Sequence, residues 1–250
     1  MNDDGRSPPS ALRGRLADVY VPALVSGATD ALSRRLGNRA TVDDPLYGRA
    51  SSLVSIDPLL ARVSSWFAEV GATYTHVAST TGVDRDAAEG RLAITLEGVA
   101  RELPIAVVAE RRRLREIELR IYYAPGGGAG TKPRSPIVAA VPNGTTASLV
   151  MTVIDALRSG AASDALGAFE EASHVVDPLG TRHTKRDGKL AAFLGELGRC
   201  DLELGGSADD GRTCCLEATV SRKGRLPGPA LLSFERGDSG LVRELRVYWE

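Results

Sequence analysis

Histidine, cysteine and phenylalanine are scarce in this chain, at 3, 3 and 4 among 250 residues. Cys200, Cys214 and Cys215 are odd in number, absent from the first half and without C-x-x-C spacing. That argues against a disulfide framework or a structural zinc site. His76, His174 and His183 are too scattered to form a metal-ligand pattern, so no metal and no cofactor is expected. Aromatic residues make up 5% of the chain and none interleaves with basic residues, which leaves no platform for base stacking. The densest basic stretch, Arg111-Arg112-Arg113 with Arg115, runs straight into Glu116 and Glu118, and the net charge is −1. A nucleic-acid partner is therefore not expected. No apolar run approaches the roughly 20 residues of a membrane span. The opening Met1-Asn2-Asp3-Asp4-Gly5 lacks the basic and apolar regions of a secretion signal. These absences lead to the expectation of a cytoplasmic chain with no membrane partner.

What the chain does have is an internal repeat. Ala23-Leu24-Val25-Ser26-Gly27 returns 133 positions later as Ala156-Leu157-Arg158-Ser159-Gly160, and Asp44-Pro45-Leu46 returns at the same separation as Asp177-Pro178-Leu179. Glu118-Leu119-Arg120-Ile121-Tyr122 returns as Glu244-Leu245-Arg246-Val247-Tyr248 at a separation of 126. One loop shorter by seven residues reconciles the two separations: Pro45 to Phe67 spans 22 positions, Pro178 to Phe193 only 15. A duplicated domain follows. A hydrophobic fraction of 43% is enough to give each copy a core.

Periodicity divides the chain into a loose tail at 1–10, a first domain at 11–124, a Gly/Pro-rich linker at 125–145 and a second domain at 146–250. In the first domain a helix runs to the Gly27 stop, and Thr29-Asp30 opens a short second helix. Asp57-Pro58 reads as the N-cap and first residue of a third. Strands are expected at 73–80, 89–98, 102–112 and 114–123. The second domain repeats the order, with helices near 148–159, 162–170 and 185–197 and strands near 200–206, 212–222, 227–236 and 240–249. The fold class is α+β: two tandem units, each with three helices and a curved antiparallel sheet.

The motif Tyr20-Val21-x-Ala23-Leu24-x-x-Gly27, followed by Ala40-Thr41-Val42-x-Asp44-Pro45, resembles the ketosteroid isomerase and SnoaL-like polyketide cyclase families of the NTF2-like superfamily. The resemblance implies that each unit is cone-shaped, and that Tyr20 donates a hydrogen bond to a developing enolate while Asp44 moves the proton. It also implies a small hydrophobic carbonyl compound, polyketide- or steroid-like, as the partner of an isomerase, cyclase or dehydratase. Those isomerases use a second oxyanion donor on the third strand, where this chain has Ala106 and, by the repeat, Leu232. Glu110, four residues on, either points inward with Ala106 and Val108 or ends the strand in solvent. In the second domain Asp177 is retained as a second site, but Val153 matches Tyr20, leaving His174 or His183 as alternatives. A noncatalytic protein that binds a ligand or a partner chain stays open beside the enzyme.

Leu16, Trp66 and Phe67 on the helices, and Ala106, Val108, Leu119, Ile121 and Tyr123 on the strands, are expected to line the first pocket. Alternation puts Glu118, Arg120 and Tyr122 on the opposite sheet face. The resemblance implies that this face is where two copies meet. The halves are therefore expected to form an intramolecular pseudo-dimer, with Glu118 near Arg246 and Arg120 near Glu244. Further oligomerisation is left open.

Overall fold

A computed structural model describes residues 14–112, 116–124, 148–224 and 226–249. The expected tail at 1–10 and linker at 125–145 lie outside the described residues. The first unit runs α1 (Leu16–Val25), α2 (Thr29–Leu36), β1 (Ala40–Asp44), β2 (Gly48–Ala50), α3 (Leu53–Glu69), β3 (Thr73–Thr81), β4 (Arg85–Leu96), β5 (Val99–Arg111) and β6 (Ile117–Tyr122). The second runs α4 (Ser148–Arg158), α5 (Ala162–Gly167), β7 (Phe169–Val176), β8 (Arg182–Thr184), α6 (Lys189–Leu197), β9 (Asp201–Asp209), β10 (Thr213–Ser221), β11 (Gly228–Arg236) and β12 (Val242–Trp249). The sheets have matching strand orders, β2-β1-β6-β5-β4-β3 and β8-β7-β12-β11-β10-β9. The chain is two tandem α+β units. No helix among the described residues is long and apolar enough to cross a membrane.

Two expectations about the elements themselves change. The sheets are mixed, because β1 runs parallel to β6 and β7 parallel to β12. These pairings join segments far apart in sequence, and the short strands β1 and β2 carry little local period to announce them. The third helix starts at Ser52, whose side chain forms a capping box with Ser55, and Pro58 lies inside it. The capping box satisfies the first amides, so the helix opens a turn earlier than Asp57-Pro58 would have it. Asp57 instead accepts a hydrogen bond from Ser33 of α2.

In each unit the helices cover one sheet face. Tyr20, Leu24, Leu60 and Phe67 pack there with Val107, Leu119, Ile121 and Tyr123. Val153, Ile154 and Leu194 pack likewise with Leu245 and Val247 in the second unit. The opposite faces meet each other: Ala87, Ala106, Val108 and Tyr122 form one buried cluster with Ala208, Cys215, Leu231 and Tyr248. Ala106 and Val108 therefore do not line the first unit's interior. Ala106 pairs with Tyr122 and Val107 with Ile121, so strict alternation turns Ala106 and Val108 toward the other sheet. Glu110 shares that face and is neither inward nor in solvent. It is 6% exposed and lies 3.1 Å from Arg85 and 2.8 Å from Arg120.

Two reciprocal carboxylate clamps cross the contact. Glu217 of β10 accepts from Arg120 at 2.5 and 2.7 Å and from Tyr122 at 2.5 Å. Glu89 of β4 accepts from Arg246 at 2.8 and 3.1 Å and from Tyr248 and Ser233 at 2.8 Å. The expected pairs Glu118–Arg246 and Arg120–Glu244 are replaced. The arginines reach the carboxylates at the middle of the opposing sheet, and Glu118 and Glu244 are taken by neighbours in their own unit. Glu118 pairs with Arg112 at 2.6 Å and Arg49 at 3.1 Å. The path of Arg85 beside Glu217 requires glycine at position 206, since a Cβ there would stand 1.6 Å from the guanidinium.

Glu244 offers a pH test. Its carboxyl is held down to about 2, first by His174, which faces it at 3.6 Å, and then by Arg246 at 3.4 Å, against partial burial. A depressed carboxyl contributes stability that is complete above its ordinary range and lost as pH falls toward about 2. Urea midpoints measured at pH 5 and pH 3 should fall less for Glu244→Gln than for the natural chain. Equal falls would mean that the pair adds nothing.

Candidate functional site

Tyr20 sits on the face of α1 that carries Ala17, Ala23 and Leu24, all buried, and is itself 1% exposed. Its hydroxyl has no hydrogen-bond partner among the described residues. Burial, and then the nearby Asp44 carboxylate, push its ionisation well above the ordinary range. The phenol therefore stays protonated and available as a donor.

Asp44 ends β1 and is 1% exposed. The amides of Leu46 and Tyr47 turn back to Asp44 Oδ1 at 2.9 and 3.1 Å, an Asx-type turn that the fixed φ of Pro45 suits. Asp177 repeats this turn with the amides of Leu179 at 2.9 Å and Thr181 at 2.8 Å. Asp-Pro thus has a structural duty in both units. The Tyr47 hydroxyl also has its ionisation raised, by burial and then by Asp44, and its ring carries the Arg62 guanidinium 5.2 Å from the centroid. Asp44 consequently lies within electrostatic reach of two phenols. Sequence reading missed Tyr47, although its position three residues after Asp44 was a usable signal.

Tyr123 follows β6, buried in the first core and stacked on Trp66 at 6.2 Å. Trp66 is tilted against Phe67 at 5.3 Å. Phe67, Leu119 and Ile121 are core residues beside them, and Leu16 and Trp66 pack on from the edge. No second donor comes from the inner face of β5, where Ile105, Val107 and Ala109 stand. In the second unit Val153 is buried in the core, and the remaining oxygen of Asp177 meets His183 Nε2 at 2.9 Å. His174 belongs elsewhere, held between Arg182 at 3.1 Å and Glu244 on the outer face. It borders a cleft of about 750 Å³ between the units, walled by mutually paired charges such as Glu244 and Arg246.

No protein-family model and no curated protein matches this chain. Solved structures do. An NTF2-like protein of unknown function from Cytophaga hutchinsonii is 18% identical, covering 44% of this chain and 95% of its own, with a TM-score of 0.36. A putative ketosteroid isomerase from Kribbella flavida is 20% identical over 41% of this chain and 76% of its own, with a TM-score of 0.37. A hypothetical protein with a ketosteroid isomerase-like fold from Catenulispora acidiphila, in complex with trimethylamine, is 17% identical over 44% and 86%, with a TM-score of 0.37. Each match spans less than half of this chain.

Proposed function

We propose that the chain is a tandem NTF2-like protein, with domains at 11–124 and 146–250 joined by 125–145 and paired as a pseudo-dimer. The first unit binds a small hydrophobic carbonyl compound and moves a proton on it without a cofactor. The observation that carries this reading is the buried Tyr20 hydroxyl, without an acceptor among the described residues and within electrostatic reach of the buried Asp44 carboxylate. A bound carbonyl oxygen would supply the acceptor. Asp44 removes a proton from the adjacent carbon, the C–H electrons pass into the enolate, and Tyr20 stabilises the enolate oxygen by hydrogen bonding. Return of the same proton to a different carbon shifts a double bond and leaves Asp44 as it began. One well-placed oxyanion donor contributes about 3–4 kcal/mol to such a step.

A second reading, ligand binding without turnover, is favoured by the two amides on Asp44 Oδ1, which give this aspartate a turn-holding role that needs no chemistry. A bicyclic β,γ-unsaturated ketone, followed by the absorbance of its conjugated isomer, separates the two. Turnover by the natural chain, reduced about 10²–10⁴-fold in Asp44→Asn, is the expected result. Binding of the ketone without isomerisation would leave the second reading standing. Neither binding nor turnover would reject both.

A further inference from the structure

The two units place different polar side chains at matching positions. Ala50 of β2 pairs with Val42, which pairs with Leu119 of β6. His183 of β8 pairs with Val175, which pairs with Leu245 of β12. Leu119 and Leu245 are the same residue of the Glu-Leu-Arg repeat, so His183 stands where the first unit has alanine. Ala50, Val42 and Leu119 belong to the first core, and Val175 and Leu245 to the second. His183 is therefore on the helix-covered side of β8. The helices make the opposite exchange, with Tyr20 in α1 and Val153 in α4. At these two matched positions the first unit has tyrosine and alanine, the second valine and histidine.

His183 is oriented from two directions. Its Nε2 lies 2.9 Å from Asp177 Oδ2, while Asp177 Oδ1 is fixed by the amides of Leu179 and Thr181. The carboxylate cannot turn away without breaking those bonds. The imidazole stacks on Phe193 at 5.5 Å, and Phe193 stacks on Trp249 at 6.3 Å with planes 11° apart. Arg222 lies 4.5 Å over the Trp249 ring and steadies the far end of this shelf. With the Nε2 hydrogen given to Asp177, Nδ1 keeps a lone pair and can accept a proton. The His183 and Asp177 side chains are 22% and 16% exposed, so a ligand can reach them.

We propose that the second unit carries its own proton-transfer site, with His183 as the base, Asp177 as its positioning residue and the Phe193–Trp249 shelf as the seat of a flat, enolisable ketone. His183 Nδ1 takes a proton from the carbon beside the carbonyl, and the C–H electrons form the enolate. The imidazolium is held against the Asp177 carboxylate until Nδ1 returns a proton to carbon. No oxidant or reductant enters. This site does not depend on the Tyr20–Asp44 reading.

The test uses the full chain with its first site disabled by Asp44→Asn, and 2-tetralone in deuterated water. Exchange of the C1 protons, followed by NMR, should run above the buffer rate and fall about 100-fold on adding His183→Gln. Nitrogen-15 shifts of His183 in the natural chain should show a protonated Nε2 and a bare Nδ1, and Asp177→Asn should disturb that tautomer while slowing exchange. The His76 and His174 signals report whether each variant is folded, and the tautomer measurement needs no variant. Exchange at the buffer rate, exchange indifferent to His183→Gln, or a proton on Nδ1 would each overturn the proposal.

Discussion

Glu89→Ala should cost about 3 kcal/mol of stability, near the low end of the roughly 3–5 kcal/mol seen when one partner of a buried ion pair is removed. Glu89 is fully buried and takes four hydrogen bonds from Arg246, Tyr248 and Ser233. Its loss leaves the Arg246 guanidinium, 6% exposed, short of its main counter-charge. Arg246 keeps Glu235 at 3.0 Å, and for that reason the low end of the range applies. Guanidinium denaturation measures the loss. Replacing both Glu89 and Arg246 with apolar residues of similar volume should recover most of it, because the desolvation cost of both charges disappears together. A single-variant loss below about 1 kcal/mol would mean that the clamp contributes no more than a solvent-exposed pair. The same treatment of Glu217 should give a similar loss, since Arg120 and Tyr122 clamp it in the same way.

Tyr20→Phe should move stability and function in opposite directions. The hydroxyl is desolvated and has no partner among the described residues, so its removal should stabilise the ligand-free chain by about 1 kcal/mol. In the isomerisation assay the same change should lower turnover about 10²–10³-fold, the effect of losing one oxyanion donor. Thermal unfolding and steady-state rates read the two quantities independently. Destabilisation by Tyr20→Phe would mean that the hydroxyl already has an acceptor, and the proposed ligand contact would lose its support. Unchanged turnover would remove Tyr20 from the mechanism.

Much of the fold was legible because its signals are local. The helical spacing that ends at Gly27 gave α1, and the alternation in Glu118-Leu119-Arg120-Ile121-Tyr122 sorted β6 into a core face and an outer face. On β5 the resemblance leads to the expectation that Ala106 and Val108 line the pocket, whereas they face the other sheet. Both sides of that strand are apolar, so pattern alone cannot set its parity. Asp44 could be picked out, but its immediate companions could not all be. Tyr47 lacks a periodic context, and the Asp177–His183 pair exists only because β8 folds back on β7.

The order of residues alone determined that there are two α+β units, where their helices and long strands run, and which side of β6 and β12 is apolar. Tertiary structure decided which carboxylate meets which arginine, that β1 and β7 run parallel to distant strands, and that the copies hold different polar groups inside. Periodicity is carried by neighbours a few residues apart and survives in any arrangement of the elements. Partner choice depends on the angle and offset at which two sheets cross, and that is settled by the packing of both units at once.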